Sequence, residues 1–249
     1  MLRLLTLFIL GYPCLLYSQD VSLLLKEAQQ QEALFHENEA FLKYAEIVNK
    51  DPSNVNALWK CSELSSRIGA RQPDKDKMLP YFLAARNYAS TALRVNPNST
   101  DANCAMALAL GRVSLVAGAK ERVMLAKDVK QYAETAIRLD PNNFRAWHIL
   151  GRWNYEVSNL SLAEKSLARL FYGKLPSASL DDAIGDFEKS RTLNPAFLLN
   201  YFELAKSYHR RDDNKKAVDI LHVMLGMPSG MYDDARVKVI ARKLLAEWQ

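Results

Sequence analysis

The stretches Ala92-Leu93-Arg94-Val95-Asn96-Pro97, Ala136-Ile137-Arg138-Leu139-Asp140-Pro141 and Ser190-Arg191-Thr192-Leu193-Asn194-Pro195 are three wordings of one phrase, an apolar helical pattern closed by Asn or Asp and then Pro. Asp51-Pro52 is a fourth such closure. Proline has no N–H with which to continue a helix and biases the residue before it towards extended backbone, so each Asx-Pro reads as a helix stop. The four prolines lie 45, 44 and 54 residues apart. Stops at such spacing are the mark of a repeat architecture. Asn54, Asn98 and Asn142, just behind three of them, are candidates to cap the next helix by accepting from its free N–H groups.

Composition agrees with helices. The 249 residues include only 9 Gly and 9 Pro, too few for an all-β chain that turns every ~8–12 residues. With 49% hydrophobic and 24% charged residues the chain is globular rather than disordered. Its formal net charge is +5, with both signs interspersed, a mild pointer to an acidic partner. The basic clusters lack the interleaved aromatics of a nucleic-acid surface, so no nucleic acid is expected.

Chemistry-bearing motifs are absent from the sequence. None of the three cysteines stands in metal-ligand spacing, and Cys61 and Cys104 are expected to be buried thiols. His36, His148, His209 and His222 are dispersed, with no i, i+4 pair. No nucleophile elbow, phosphate loop or dinucleotide glycine pattern occurs. No catalytic residue, cofactor or metal is therefore assigned, and the chain reads as a non-enzyme. The acid pairs Asp181-Asp182, Asp212-Asp213 and Asp233-Asp234 each precede an expected helix, where carboxylates cap N–H groups and complement the helix dipole.

The beginning of the chain reads as an export signal over residues 1–18. Arg3 supplies the positive start, residues 4–10 an apolar core, and Gly11 and Pro13 interrupt it before Tyr17-Ser18-Gln19. An apolar stretch of 14 residues is short for a membrane span of ~20. The expectation is an exported chain, periplasmic or secreted, with an uncleaved N-terminal anchor as the alternative.

Counted from each Asx-Pro, the chain resembles a tetratricopeptide array, whose helix pairs carry a bulky residue, a Leu and a small residue on the first helix, then Ala, an aromatic and a small residue on the second. Trp147, Leu150 and Gly151 occupy the first-helix positions, and Ala183, Phe187, Ser190 and Pro195 the second. Tyr201, Leu204, Ala205 and Tyr208 repeat the first set, and Ala40, Tyr44 and Pro52 an earlier second set. The expected fold is an all-α solenoid of five helix pairs, about 21–52, 53–97, 98–141, 142–195 and 196–228, closed by a capping helix over 231–248. Three of these repeats exceed the standard 34 residues. Their extra residues are expected between the two helices of each pair, in the regions 69–79, 117–127 and 159–180, as insertions along one edge.

The run Leu150-Gly151-Arg152-Trp153-Asn154-Tyr155-Glu156-Val157 is followed by Phe171-Tyr172-Gly173-Lys174-Leu175-Pro176-Ser177-Ala178-Ser179 and by Phe187-Glu188-Lys189-Ser190-Arg191-Thr192-Leu193-Asn194-Pro195. Together they resemble the regulator of microtubule dynamics family, closely over about 140–210 and more loosely back to about 30. The resemblance implies an all-helical repeat domain with protein-binding character, associated with microtubules in animals, and the leader suggests an exported bacterial relative. Two functional readings follow. One is an exported scaffold that takes a peptide or protein partner in its concave groove; the other is a microtubule-associated protein. Lys60, Arg152, Asn154 and Lys206, polar positions on first helices, are the candidate partner contacts. Trp147, Leu150, Gly151, Trp153, Tyr155, Phe187 and Pro195 are the structural motif, and Arg152 is expected to tie to Glu156 or Asp182.

Overall fold

In a computed structural model the structure describes residues 12–172 and 177–249. Residues 1–11 of the expected signal and residues 173–176 of the Phe-Gly hook lie outside the described residues. Twelve helices and no strands occur among the described residues. Five hairpins form: α1 (Tyr12–Ala33) with α2 (Glu37–Lys50), α3 (Val55–Ala70) with α4 (Lys75–Val95), α5 (Thr100–Val116) with α6 (Ala119–Leu139), α7 (Phe144–Ser158) with α9 (Leu180–Leu193), and α10 (Leu198–Arg210) with α11 (Asn214–Gly226). A short helix α8 (Leu162–Tyr172) sits inside the fourth hairpin, and α12 (Asp234–Trp248) packs on α10 and α11 as the cap. Each hairpin packs on the next, and first helices α3, α5, α7 and α10 also follow one another directly. The expected α-solenoid is what the chain forms.

Every Asx-Pro junction is built the same way. Asp51, Asn96, Asp140 and Asn194 each accept, through a side-chain oxygen, the backbone N–H two residues on, of Ser53, Asn98, Asn142 and Ala196, at 2.9–3.1 Å. This Asx turn spans the proline and starts the next repeat. Asn98 and Asn142 are thereby used as turn donors, and the caps they were expected to form fall one residue later. Ser99 caps α5 by accepting from Ala102, and Asn143 caps α7 by accepting from Ala146; Asn54 caps α3 as expected. The carbonyl of the junction proline is tied in turn by the first helix behind it. Trp147 Nε1 donates to Pro141 O at 2.8 Å, Tyr201 Oη to Pro195 O at 3.0 Å and Asn103 Nδ2 to Pro97 O at 3.1 Å. The bulky first-helix position is thus a hydrogen-bonding brace as well as a packing one.

The hairpins close over small residues. On the second helices Ala40, Ala85, Ala183 and Ala217 are fully buried, and one turn on Tyr44, Ala89, Phe187 and Leu221 are buried too; in α6 Val129 and Ala133 hold the two places. Gly151 faces Phe187 so closely that a Cβ there would stand 2.8 Å from Phe187 Cδ1 and 3.2 Å from Ala183 O. Trp153 reaches the other way, donating to Ala126 O of α6 at 2.6 Å.

The extra residues of the second and third repeats are placed otherwise than expected. Rather than projecting as insertions, they lengthen α4 and α6 at their N-termini to 21 residues each, against 14 for α2. Their added turns carry apolar residues on the inner face, Met78 and Leu125 among them, which join the cluster that holds Phe82 and Val113. Pro80 is accommodated near the start of α4. Only the fourth repeat gains a separate element, α8.

Replacing Gly151 with Ala is expected to lower stability by about 1–3 kcal/mol, because the fully buried Phe187 ring has nowhere to retreat. Gly185→Ala, whose Cβ meets nothing within 4 Å, should be neutral or stabilising. Urea midpoints of the two variants check this, and equal effects would contradict it.

Candidate partner-binding groove

First helices, together with the second helix α6 through Ala119, Arg122, Val123, Ala126 and Val129, wall a cavity of about 1020 Å3 on the inside of the solenoid. α3 contributes Lys60, Glu63 and Arg67, α5 contributes Leu108, Gly111 and Arg112, and α7 contributes Arg145, His148 and Arg152. Gly230 and Met231, just before α12, close the far side. The two ends of the solenoid meet there through Arg71 at the end of α3. Its Nη2 donates to Glu37 Oε2 of α2 at 2.6 Å and its Nη1 to Asp233 Oδ2 at 3.1 Å, while its guanidinium lies 4.4 Å over the Tyr232 ring. Arg67 pairs with the same buried Glu37.

Charges on the groove wall are mostly matched. Lys60 Nζ reaches Glu32 at 2.9 Å and Glu63 at 3.8 Å, and Arg145 reaches Glu63 at 3.9 Å. Burial opposes the Glu63 charge, but Arg145, Lys60 and Arg67 outweigh it and hold its carboxyl below the usual range. Arg152 donates to Glu203 of α10 at 2.6 Å and to Glu156 at 3.3 Å, and Lys206 Nζ bonds Glu203 at 2.9 Å. Burial likewise opposes the Glu203 charge, and Arg152 and Lys206 overcome it. Asn200 uses its amide nitrogen on Phe187 O and so offers its oxygen to His148 Nδ1 at 3.0 Å. Burial pushes the His148 ring down to about 4, which leaves it neutral. Cys61 and Cys104 are buried free thiols, and burial pushes Cys61 up to about 12.

Of the four candidate contacts, Lys60 and Arg152 line the groove. Lys206 stands beside them in the Glu203 ion pair, near the Tyr155 and Phe202 rings, without lining the cavity. Asn154 is elsewhere. It is buried inside the fourth hairpin, where its Nδ2 donates to Asp186 Oδ2 of α9 at 2.8 Å. The helix register explains this. Asn154 is the eleventh residue of α7, equivalent to the buried Tyr208 of α10 and facing the partner helix. Glu63, Arg152 and Lys206 are each ninth, and Arg67 and Arg112 thirteenth, in the register that turns inward. Arg152 pairs with Glu203 and not with Asp182, which is engaged with its cap Ser179. Sequence reading missed Glu63, Arg67, Arg112 and Arg145, which the ninth and thirteenth places would have found in part.

The geometry is now matched by relatives. The sequence profile described as "Regulator of microtubule dynamics protein 1-3" aligns with residues 24–249. The chain belongs to the regulator of microtubule dynamics family. Within that family, the Caenorhabditis elegans "Regulator of microtubule dynamics protein 1" is 27% identical over 217 residues, covering 84% of this chain and 94% of the relative. The Bos taurus protein of the same name is 25% identical, covering 87% and 69%. Among solved structures, a thermophilic TPR protein of Thermus thermophilus superposes with a TM-score of 0.66 at 14% identity, covering 92% of this chain and 98% of that one. A pilF structure from Pseudomonas aeruginosa gives 0.55 at 13% identity, covering 93% and 90%. These likenesses place this member of the family in the tetratricopeptide-like fold.

Asp186 sets a pH test for the hairpin beneath the groove. Burial pushes its carboxyl up to about 7, against the pull of the Asn154 hydrogen bond. Between its ordinary value of 3.8 and about 7, the folded chain holds a proton that the unfolded chain has lost, so this group's contribution to stability falls as pH rises through that window. His148 acts in the opposite sense, since its contribution is lost as pH falls from 6.5 towards 4. Asp186→Asn keeps the shape and removes the charge. It is expected to raise stability at pH 8 by about 1–3 kcal/mol and to change little at pH 4, leaving the His148 slope alone. Urea midpoints at the two pH values decide; a lower midpoint at pH 8 would show that the ionised carboxylate is needed.

Proposed function

We propose that this chain is a non-catalytic scaffold that takes a peptide or protein segment of a partner in its inward-facing groove. The observation that carries the reading is the cavity of about 1020 Å3 walled by α3, α5, α6 and α7, with the start of α10 at one end. A drug-sized ligand fills such a volume, and so do a few side chains of an extended or helical segment. Its wall is mixed, with Leu108, Leu115, Ile149, Val157 and Leu160 beside the matched charges, which suits an amphipathic occupant. Residues 1–18 support export of the scaffold to the periplasm or beyond. The buried Leu24 and Ala28 and the Asp20–Lys50 ion pair, which hold α1 to α2, lie after residue 18 and would be kept if those residues were removed.

A second reading is favoured by the relatives, which carry the name regulator of microtubule dynamics protein. Under it, this chain binds a microtubule surface, and the net positive charge would draw it to an acidic polymer.

Gly111 offers a clean test of the groove. It lines the cavity, and a Cβ there meets nothing within 4 Å, so Gly111→Trp should fill the groove without disturbing the helices. The proteins cross-linked to the wild-type chain in its own host should be lost from the variant, with the circular dichroism and melting temperature unchanged. Retention of the same partners would move binding off the groove. For the second reading, residues 19–249 should pellet with polymerised tubulin at low salt and be released at high salt; no pelleting at low salt would sink it.

A further inference from the structure

Two arginines that line the groove form no ion pair: Arg122 donates to Ala117 O at 3.5 Å, whereas Arg112, thirteenth in α5, lacks even a backbone acceptor. Its Nε is sealed from solvent and meets no acceptor, and among the described residues the side chain takes part in no hydrogen bond or ion pair. A guanidinium carries five donors in a rigid fork; here the Nε–H is sealed from water without a partner, while the residue as a whole is only partly buried. The nearby carboxylates are already engaged. Glu203 holds Arg152 and Lys206, and Asp233 holds Arg71. The charges that act on Arg112 from the facing elements are Arg152, Asp233, Glu203 and Arg236, two of each sign, so no local surplus of acid compensates it. Burial, with Arg152 adding to it, pushes the group down to about 10.

The repeats supply an internal control. Arg67 occupies the same register in α3, and there Glu37 is placed to receive it. In α5 no acid is supplied. The unmet guanidinium instead faces the cavity among Leu108, Leu115, Ile149 and Val157.

We propose that Arg112 anchors a carboxylate of the bound partner segment, a peptide presenting one acidic group between large apolar side chains. This rests on the groove reading above and gives it a chemistry. One unpaired guanidinium balances one carboxylate, bound through parallel N–H···O bonds. The apolar wall on either side excludes water and strengthens that pair. The carboxylate comes from an Asp or Glu side chain or from a chain terminus.

The test begins with stability. Arg112→Met, with Arg112→Gln as a second variant, should melt at the same temperature as the wild type or a few degrees higher, since each removes an unmet charge. Arg67→Met should melt lower, because it strands part of Glu37. An Arg112 variant destabilised as much as the Arg67 variant would show a structural partner and overturn the proposal. Binding follows by selecting random twelve-residue peptides, displayed with both ends blocked or with a free C-terminus, against the wild type, Arg112→Met and Gly111→Trp. Wild-type binders should share an acid flanked by Leu, Ile, Phe or Met, or a free terminus in the second library. Replacing that acid by its amide should cost at least tenfold in affinity, and Arg112→Met the same, with no further loss when the two are combined. Peptides enriched without an acid would overturn the anchor and leave the groove standing. No enrichment, or the same peptides on Gly111→Trp, would remove the groove reading itself. A phospholipid seen by native mass spectrometry on the purified wild type and absent from Arg112→Met would also overturn it, by naming a different occupant.

Discussion

Two helices can lie side by side as closely as Gly151 and Phe187 require only if one of them gives up its side chain at the crossing. Everything above that contact depends on the approach. The fully buried Phe187 ring fills the space a larger residue at 151 would take, and Ala183 completes the surface one turn earlier. The other hairpins obey the same rule with different residues, exchanging Gly for Ala or Ser on the first helix and Phe for Tyr, Leu or Ala on the second. Because the constraint is local to each hairpin, the array can lengthen its second helices, as α4 and α6 do, without losing the stacking.

The register set by those crossings also sorts the charges. Residues facing the partner helix are apolar or tied off, as Asn154 is to Asp186, while the ninth and thirteenth places of the first helices turn inward. Acids and bases from different repeats therefore meet across the groove. Lys60, Glu63 and Arg145 span α3 and α7, and Arg152, Glu203 and Lys206 span α7 and α10. The wall of the groove is in this sense one electrostatic surface assembled from residues that are far apart in the chain, and Arg112 stands out because its place in that surface is left unanswered.

How much of this was legible depends on range. Asx-Pro stops, hairpin pairing and the capping helix are written in residues a few positions apart, and they could be read directly. The caps were displaced by one residue because Asn98 and Asn142 are drawn into the Asx turns of the residues two before them. The expectation of insertions in 69–79 and 117–127 follows from comparison with a standard repeat, which locates a surplus without saying what shape it takes; in the fold it lengthens α4 and α6. Of the candidate contacts, Lys60 and Arg152 line the groove, whereas aligning Asn154 with Tyr208 sets it inside the hairpin. Pairings such as Arg152 with Glu203 or Arg71 with Asp233 join residues that share no local pattern, so nothing short of the folded chain reveals them.

The contact of Arg71 with Asp233 and Tyr232 has a kinetic side. A solenoid with free ends can be mounted from the side, but one whose first and last units touch makes an arriving chain either thread between them or wait for them to part. The closure rests on one largely buried ion pair and one stacked ring, so few contacts hold it. For the partner segment proposed above, the rate at which these two ends of one molecule separate would then set how long it stays, whatever its sequence.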